Sequence, residues 1–452
     1  MPFFSRSRAS GTFRRLPVIC SRSAGSARPF WSPTRVGELH ETHDLFALHV
    51  RSDELGRSGR SLLFRHREEG HLVEQEVCTQ TQLLSPAELQ PEVISAPDRF
   101  HSIGHEWDRL VARSAVDQTF LSHTWLRTWW ESFGEGKQLH IITLRDGGEL
   151  VAAAPMMRTR SRMYGLKLDT LELIYNPHTP RCDFIIANNC EEAVYERMWR
   201  ELCSTDRCDA IALNQVPDTS PTIPAIESLA QADGWLTGQW ASPPSPYIPL
   251  NCEYEQLFAR LKGGYRYNLR KRFERLGKLG PVDVEVIRDR AGVRDAMADG
   301  LKIEAAAWKG DHGTAIASDP AVTEFYVKLA ERQADLGQLH LTFLRVGGKR
   351  ISFNYLLRNN KTLYGVKIGY DPEYHTYSPG NALLNLILQK ACADGLAEYD
   401  FLGVNDEWKF DWTKETRQHR WLFLFRNHLR PKFLHYMKFS VLPRMKHVLR
   451  AR

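Results

Sequence analysis

Residues 338–412 read QLHLTFLRVGGKRISFNYLLRNNKTLYGVKIGYDPEYHTYSPGNALLNLILQKACADGLAEYDFLGVNDEWKFDW, and their order of elements decides the fold. Two apolar, β-rich runs, 339–346 and 351–357, flank Gly347-Gly348, a dipeptide suited to a tight hairpin turn. A third run, 362–370, continues the meander to Asp371-Pro372. Ser378-Pro379-Gly380-Asn381 then opens an apolar-periodic helix over 382–393, stopped by Gly395, and Tyr399-Asp400-Phe401-Leu402-Gly403 predicts one more short buried strand. A strand feeding a glycine-containing loop and a helix leaves free backbone N–H groups at the positive end of the helix dipole. Ser378, Gly380 and Asn381 are therefore candidate ligands for a phosphate or pyrophosphate. Pro and Asn also suit the first turn of any helix, so a plain start signal stands beside that reading.

The chain contains a long-period repeat. Residues 138–158 read QLHIITLRDGGELVAAAPMMR and residues 338–358 read QLHLTFLRVGGKRISFNYLLR, an offset of 200. Tyr164-Gly165-Leu166-Lys167 and Tyr364-Gly365-Val366-Lys367 recur at the same offset. The period far exceeds that of solenoid repeats and marks two duplicated domains.

This order of elements resembles the GNAT acyltransferase fold, in which the pyrophosphate of acyl-CoA rests on the helix after the central strands. More narrowly, it is similar to the bacterial CelD/BcsL-like family associated with cellulose and exopolysaccharide synthesis, related to the Fem-type transferases. Tyr364-Gly365, Tyr370, Tyr374, Tyr377-Ser378-Pro379-Gly380, Asp400-Phe401-Leu402-Gly403, Trp408-Lys409 and Trp412 carry the resemblance. The usual Gln/Arg-x-x-Gly-x-Gly/Ala phosphate loop of ordinary GNAT enzymes is absent. The resemblance implies an α/β (α+β) fold of two tandem GNAT-like domains, each a mixed, largely antiparallel sheet flanked by helices. It also implies acyl-CoA, such as acetyl-CoA, as co-substrate, with a small-molecule acyl donor and a saccharide or lipid-linked precursor as acceptor.

Composition sets the bounds. The chain has 452 residues, 42% hydrophobic and 25% charged, with a net charge of +6 and a pI near 8.8. That is an ordinary globular chain with ample core, mildly basic and compatible with an anionic partner. No apolar window is long enough for a membrane span. The eight cysteines form no C-x-x-C pair and no zinc-finger spacing, so free thiols and no metal are expected. These features point to the cytoplasm, with attachment at the inner membrane face as an extension.

The expected organisation is a basic N-terminal arm over 1–95, a first domain over 96–245, a second over 246–425, and a basic tail over 426–452. Residues 1–37 hold no acidic group and read as a transit-like leader, a loose basic arm or an over-long start. In the first domain, Ser122 caps an aromatic helix whose tryptophans read as core, and strands are expected near 171–175, 183–186 and 210–213 with a helix over 191–203. That half lacks the Ser-Pro-Gly-Asn loop, so the donor belongs to the second.

Beyond Pro243-Pro244-Ser245-Pro246 lies a basic amphipathic helix over 256–279, with Tyr265, Leu269, Phe273 and Leu276 on one face. Arg266, Arg270 and Lys271 line the neighbouring face. They match an Arg-x-x-(Ile/Leu)-Arg-Lys pattern that the relatives place near the acceptor's phosphates, for which Arg forks are suited. A solvated basic helix is the bland reading. The same resemblance puts Glu304 and Trp308 at the cleft border, which makes Glu304 a further candidate for the general base, although a helix carboxylate is more often exposed.

Acyl transfer from a thioester needs a base for the acceptor, donors for the oxyanion and an acid for the thiolate. Asp406 and Glu407 are base candidates, Lys409 a phosphate or carbonyl ligand, and Tyr374 and Tyr377 the acid candidates. No nucleophile pattern is legible, which favours direct transfer. The tail from Arg417 has no acidic residue and alternates aromatics with Arg, Lys and His. It reads as a membrane-surface helix or as a docked C-terminal helix.

Three functions follow. The first is N- or O-acyl transfer from acyl-CoA to a cell-envelope or exopolysaccharide precursor. The second is Fem-like transfer from aminoacyl-tRNA, weakened by the lack of a coiled-coil arm, so nucleic acid is not the expected partner. The third is a non-catalytic module of an envelope synthesis complex.

Overall fold

The computed structural model describes residues 85–115, 119–205, 208–306, 316, 319–403 and 405–445. The basic arm up to residue 84 and Trp308 lie outside them.

The duplicated Gly-Gly pairs are the turns of two matching hairpins. Gly147, Gly148, Gly347 and Gly348 all take positive φ, the left-handed geometry that a two-residue hairpin turn demands. Ile141–Asp146 pairs with Glu149–Ala154 across the first turn, and Leu339–Val346 with Lys349–Asn359 across the second. Both ladders slip register at the same point, Leu144/Arg145 and Leu344/Arg345, so even the bulge is duplicated. Further along, the offset drifts. Tyr164 and Gly165 form a turn at positive φ before Leu166–Leu173, whereas Tyr364 and Gly365 lie inside the strand Thr362–Tyr370, whose turn is at Asn360. The Tyr-Gly match is therefore one of spacing and not of structural role.

Each half closes with a parallel pair made through a helical crossover, as parallel strands require. In the first half Leu166–Leu173 pairs with Ala210–Pro217 across Glu191–Ser204. In the second, Thr362–Tyr370 pairs with Glu398–Asp400 across Pro379–Ala393. The fold is thus mixed α/β, two tandem halves of largely antiparallel sheet flanked by helices. Gln90–Ile94, which the sequence alone assigns to the loose arm, is a strand paired antiparallel with Ile141–Arg145.

The halves share one core. Ser122 Oγ accepts from Trp125 N at 3.2 Å and Asp319 Oδ1 from Ala321 N at 2.8 Å, capping the equivalent helices His123–Phe133 and Pro320–Asp335. These two helices pack on each other: Trp125 meets Phe325 edge-on at 5.5 Å, and Arg332 reaches Glu131 at 2.7 Å. Trp125 and Trp129 are core residues with no exposure, as their spacing suggests. The basic segment after Pro246 is two helices, Tyr254–Arg260 and Gly263–Gly277, broken at the extended Leu261 and Lys262. Leu269 and Leu276 are its buried anchors, while Phe273 stays exposed.

One strand crosses between the halves. Ser245–Pro249, at the junction, pairs with Glu398–Asp400 and Thr416–Arg417 and completes the seven-stranded sheet of the second half. His419–Phe425, from the end of the second half, inserts between Ala210–Pro217 and Leu236–Ala241 in the six-stranded sheet of the first. At the crossing point Arg181 donates to the fully buried Asp400, which also accepts from Arg417 at 2.8 Å and from the Leu402 backbone at 2.9 Å. Arg417 bonds Glu398, and the Nε of Arg181 faces His419 Nε2 at 3.3 Å. Four formal charges balance, and burial with the Arg181 charge holds His419 down to about 4, so the imidazole stays neutral.

Two outcomes are expected. Arg181→Met leaves Asp400 with one of its two arginine partners and lowers the unfolding free energy in urea by about 3–5 kcal/mol, the range for breaking a buried pair. A loss within error would show that the pair is dispensable. The pH dependence follows from His140, His340 and His419, each held at about 4 chiefly by burial and then by nearby arginines. Unfolded, they protonate near 6.5, so their stabilisation is complete above that pH and is lost as pH falls toward 4. Buried Asp183, raised to about 6, acts in the opposite sense between its ordinary 3.8 and 6. The thermal midpoint should fall from pH 7 to pH 5, and His419→Gln should flatten that fall; an unchanged slope would contradict the assignment.

Candidate active site

A cleft of about 920 Å³ lies between the halves, lined on one side by Thr362–Tyr370 and the chain after Asp400, and on the other by residues 175–180 and 240–243. Its floor is a fork. Thr362, Leu363 and Tyr364 pair with Glu398, Tyr399 and Asp400, and beyond that the two parallel strands separate. Gly365 stands at the crotch: a Cβ there would lie 2.6 Å from the Tyr399 hydroxyl. Gly365 through Tyr370 then form one arm and Phe401, Leu402 and Gly403 the other, all lining the cleft.

The first arm carries a bulge. Tyr355 faces Lys367 and Leu356 faces Gly365, so Val366 is the extra residue without a partner on the neighbouring strand. A bulge re-aims backbone groups beside a site, and an amide so placed suits a developing oxyanion. The second arm is strained. Leu402 and Gly403 both take positive φ, a conformation unusual for leucine, held by Asp400 Oδ1 on the Leu402 amide and by Lys409 Nζ on the Leu402 carbonyl at 3.1 Å.

Above the fork is the helix start. Ser378 has φ 49° and ψ 58°, and Pro379 begins the helix with no N–H to satisfy, so Gly380 and Asn381 supply the next amides. Ser378, Gly380 and Asn381 all line the cleft, and Asn381 Oδ1 accepts from Trp412 Nε1 at 3.2 Å. A guanidinium reaches this corner: Arg272 donates to Ser378 Oγ, and Arg275 lies 5.3 Å over the Tyr377 ring. The basic helix Gly263–Gly277 therefore does face the helix start, but through Arg272 and Arg275. Arg270 instead lies over Phe258 at 5.1 Å, Lys271 pairs with Glu274 at 3.2 Å, and Arg266 is half-buried outside the cleft lining. Side-chain directions along one helical turn, invisible to a composition count, separate these arginines.

Among the acid–base candidates, Asp406 and Lys409 line the cleft and pair with each other at 3.1 Å, with Lys409 nearly buried. Glu407 is exposed and outside the lining. Tyr374 lies under Lys349 at 5.0 Å and, like Tyr377, packs outside the lining on a separate apolar cluster of the second half, which includes Leu383, Leu388 and Trp412. Glu304 is not exposed: it has no accessible surface, accepts from the Ile316 amide at 2.9 Å, and its backbone would meet a Cβ on Gly369 at 2.7 Å. It anchors a helix behind the cleft wall.

The cleft also holds groups that the sequence did not single out. His178 Nδ1 lies 3.2 Å from the Tyr326 hydroxyl, its ring stacks on Phe133 at 6.0 Å, and Lys367 Nζ is 5.0 Å over the Tyr326 ring. Burial and the Lys367 charge hold His178 down to about 4, so it is a neutral imidazole at neutral pH. Burial raises the Tyr326 hydroxyl, which stays protonated. His178 and His375 both line the cleft and stand 197 residues apart, the same interval that separates the helix caps Ser122 and Asp319. That second offset was the available signal.

Residues 263–410 match the family model described as an acetyltransferase (GNAT) domain. No curated protein matches the chain. Among solved structures, FemX aligns with a TM-score of 0.51 and 12% identity over 76% of this chain and 100% of that chain. A conserved protein of unknown function from Bacteroides thetaiotaomicron aligns with a TM-score of 0.45 and 12% identity, over 75% and 100% of the two chains. L-PGS from Bacillus licheniformis gives a TM-score of 0.43 and 10% identity, over 75% and 95%. Residues 263–410 thus form a GNAT-type acetyltransferase domain within a two-half fold shared with FemX, and the protein is a transferase.

Proposed function

We propose that the protein transfers an acyl group directly from an acyl-CoA thioester, acetyl-CoA among them, to an amine or hydroxyl of a cell-envelope or exopolysaccharide precursor. The single observation that carries this reading is the opened parallel fork with a bulge on one arm and a helix start above it, all in one cleft. The helix amides at Gly380 and Asn381, with Arg272 beside Ser378, fit a pyrophosphate. The Val366 bulge fits the thioester oxygen. Two cleft groups suit proton removal from the acceptor, Asp406 beside Lys409 and the neutral His178 beside Tyr326. The thioester's C–S bond breaks as the new C–N or C–O bond forms, and the acceptor's proton passes to the base.

The acceptor class rests on the resemblance to the CelD/BcsL-like family, and the aromatic wall of Trp240 and Trp421 suits a saccharide-bearing molecule. On this reading the protein works in the cytoplasm or against the inner membrane face. The two domains are taken as 96–245 and 246–425, with the second binding the donor. A second reading, Fem-like use of aminoacyl-tRNA, draws on the exposed basic positions Arg270 and Lys271. It predicts binding of charged tRNA that falls steeply with salt.

Calorimetric titration of CoA and acetyl-CoA tests the donor site. Gly380→Asp is expected to weaken binding at least about tenfold by setting a carboxylate where the diphosphate belongs. The fold should tolerate it, because a Cβ there meets only Tyr370 at 3.7 Å and an acidic residue suits a helix N-terminus. Unchanged affinity would refute the loop assignment.

A further inference from the structure

The helix Leu429–Tyr436 docks on the six-stranded sheet by one face only. Pro431 and Leu434 are buried, while Leu429 is 92%, Phe433 49% and Tyr436 54% exposed. At 3.6 residues per turn, positions 429, 433 and 436 fall in one narrow arc opposite 431 and 434. The outward arc is thus apolar, and a contiguous apolar stripe on a surface marks an interaction site.

Charge identifies the occupant. Arg430 and Lys432 flank the stripe and are exposed, Arg444 follows, and no acidic residue occurs from Arg417 to the last residue given. Asp209, just before the strand beneath, pairs with Arg430 and offsets its charge, so Lys432 and Arg444 supply the positive rim. Apolar centre and cationic rim together match the interface of a bilayer that carries anionic lipid. RNA would engage the cations but has no use for a leucine almost wholly exposed at the centre of the face.

We infer that residues 429–445 dock the protein reversibly on an anionic phospholipid surface. The inference deepens the proposed function, because the docking helix is tied to the cleft wall. Phe439 packs on Trp240 with ring centroids 6.0 Å apart, and its ring fills the space a Cβ on Gly238 would need. Lys438 Nζ lies 3.6 Å over the Trp240 ring and 3.9 Å over Phe423. Trp240 in turn lines the cleft. A lipid-linked acceptor is therefore the class that this arrangement favours. One short amphipathic helix gives weak attachment, so binding should be reversible and salt-sensitive.

The test is co-sedimentation of the full chain with phosphatidylcholine vesicles, with and without one-third phosphatidylglycerol, at low and high salt. Binding is expected only to the anionic vesicles, and the double variant Leu429→Glu/Phe433→Glu should reduce it at least about tenfold. Both side chains point to solvent, so the variant's circular dichroism and melting should match the parent's. Failure of the parent to bind anionic vesicles, or equal binding by the variant, overturns the inference. So does displacement of the parent from vesicles by tRNA that binds parent and double variant with equal affinity, or a dimer that the variant splits without changing lipid binding. Coenzyme A affinity measured on the same samples keeps the donor site separate: its presence with no lipid binding overturns only the docking, and its absence with lipid binding overturns only the donor reading.

Discussion

Arg181 and Asp400 hold the molecule together. They come from different halves, both are buried, and Asp400 has no accessible surface. A carboxylate in such a place is tolerable only when its oxygens are fully engaged. Arg181, Arg417 and the Leu402 amide do this, and each comes from a different segment of the chain. The Leu402 amide is the start of the strained turn on one arm of the fork. The geometry of the cleft therefore depends on charge neutralisation a few residues away, at the seam between the halves.

The seam also explains why the cleft lies where it does. A single parallel fork opens onto solvent; here the first half closes over it with the loop at 175–180 and the Trp240 strand. The groups proposed for proton transfer follow the same division, with Asp406 and Lys409 from the second half and His178 from the first. Duplication has not produced two equal sites. Each of the two equivalent loops brings a histidine to the cleft, His178 and His375, but only the loop after Thr362–Tyr370 leads into a helix start, at Pro379, that also lines it.

Much of the fold was legible because its signals are local. Glycine pairs specify hairpin turns, Ser122 and Asp319 cap helices, and the run at 362–370 reads as a strand with its true ends. What stayed hidden was the insertion of His419–Phe425 into the first half's sheet, since pairing over some two hundred residues leaves no mark in a short window. Of the candidate residues, those at the helix start and the Asp406–Lys409 pair line the cleft. Tyr374 and Tyr377 lie outside the lining because the two turns of 3-10 helix over Pro372–Tyr377 pack them on the apolar cluster around the helix Pro379–Ala393. Glu304 was misread because its burial depends on a close approach at Gly369 from another element. His178 was missed because the repeat changes offset between the hairpin and the loop.

The inserted strand has a consequence for synthesis. Ala210–Pro217 and Leu236–Ala241 meet only through His419–Phe425, so the first half's sheet stays split until the ribosome has made the second half. At roughly 5–20 residues per second that interval lasts about 10–40 seconds, during which a long apolar strand presents an unpaired edge. Nascent chains of this protein are thus exposed to off-pathway pairing, and to chaperones, for a period that the order of elements sets and that no improvement in core packing can shorten.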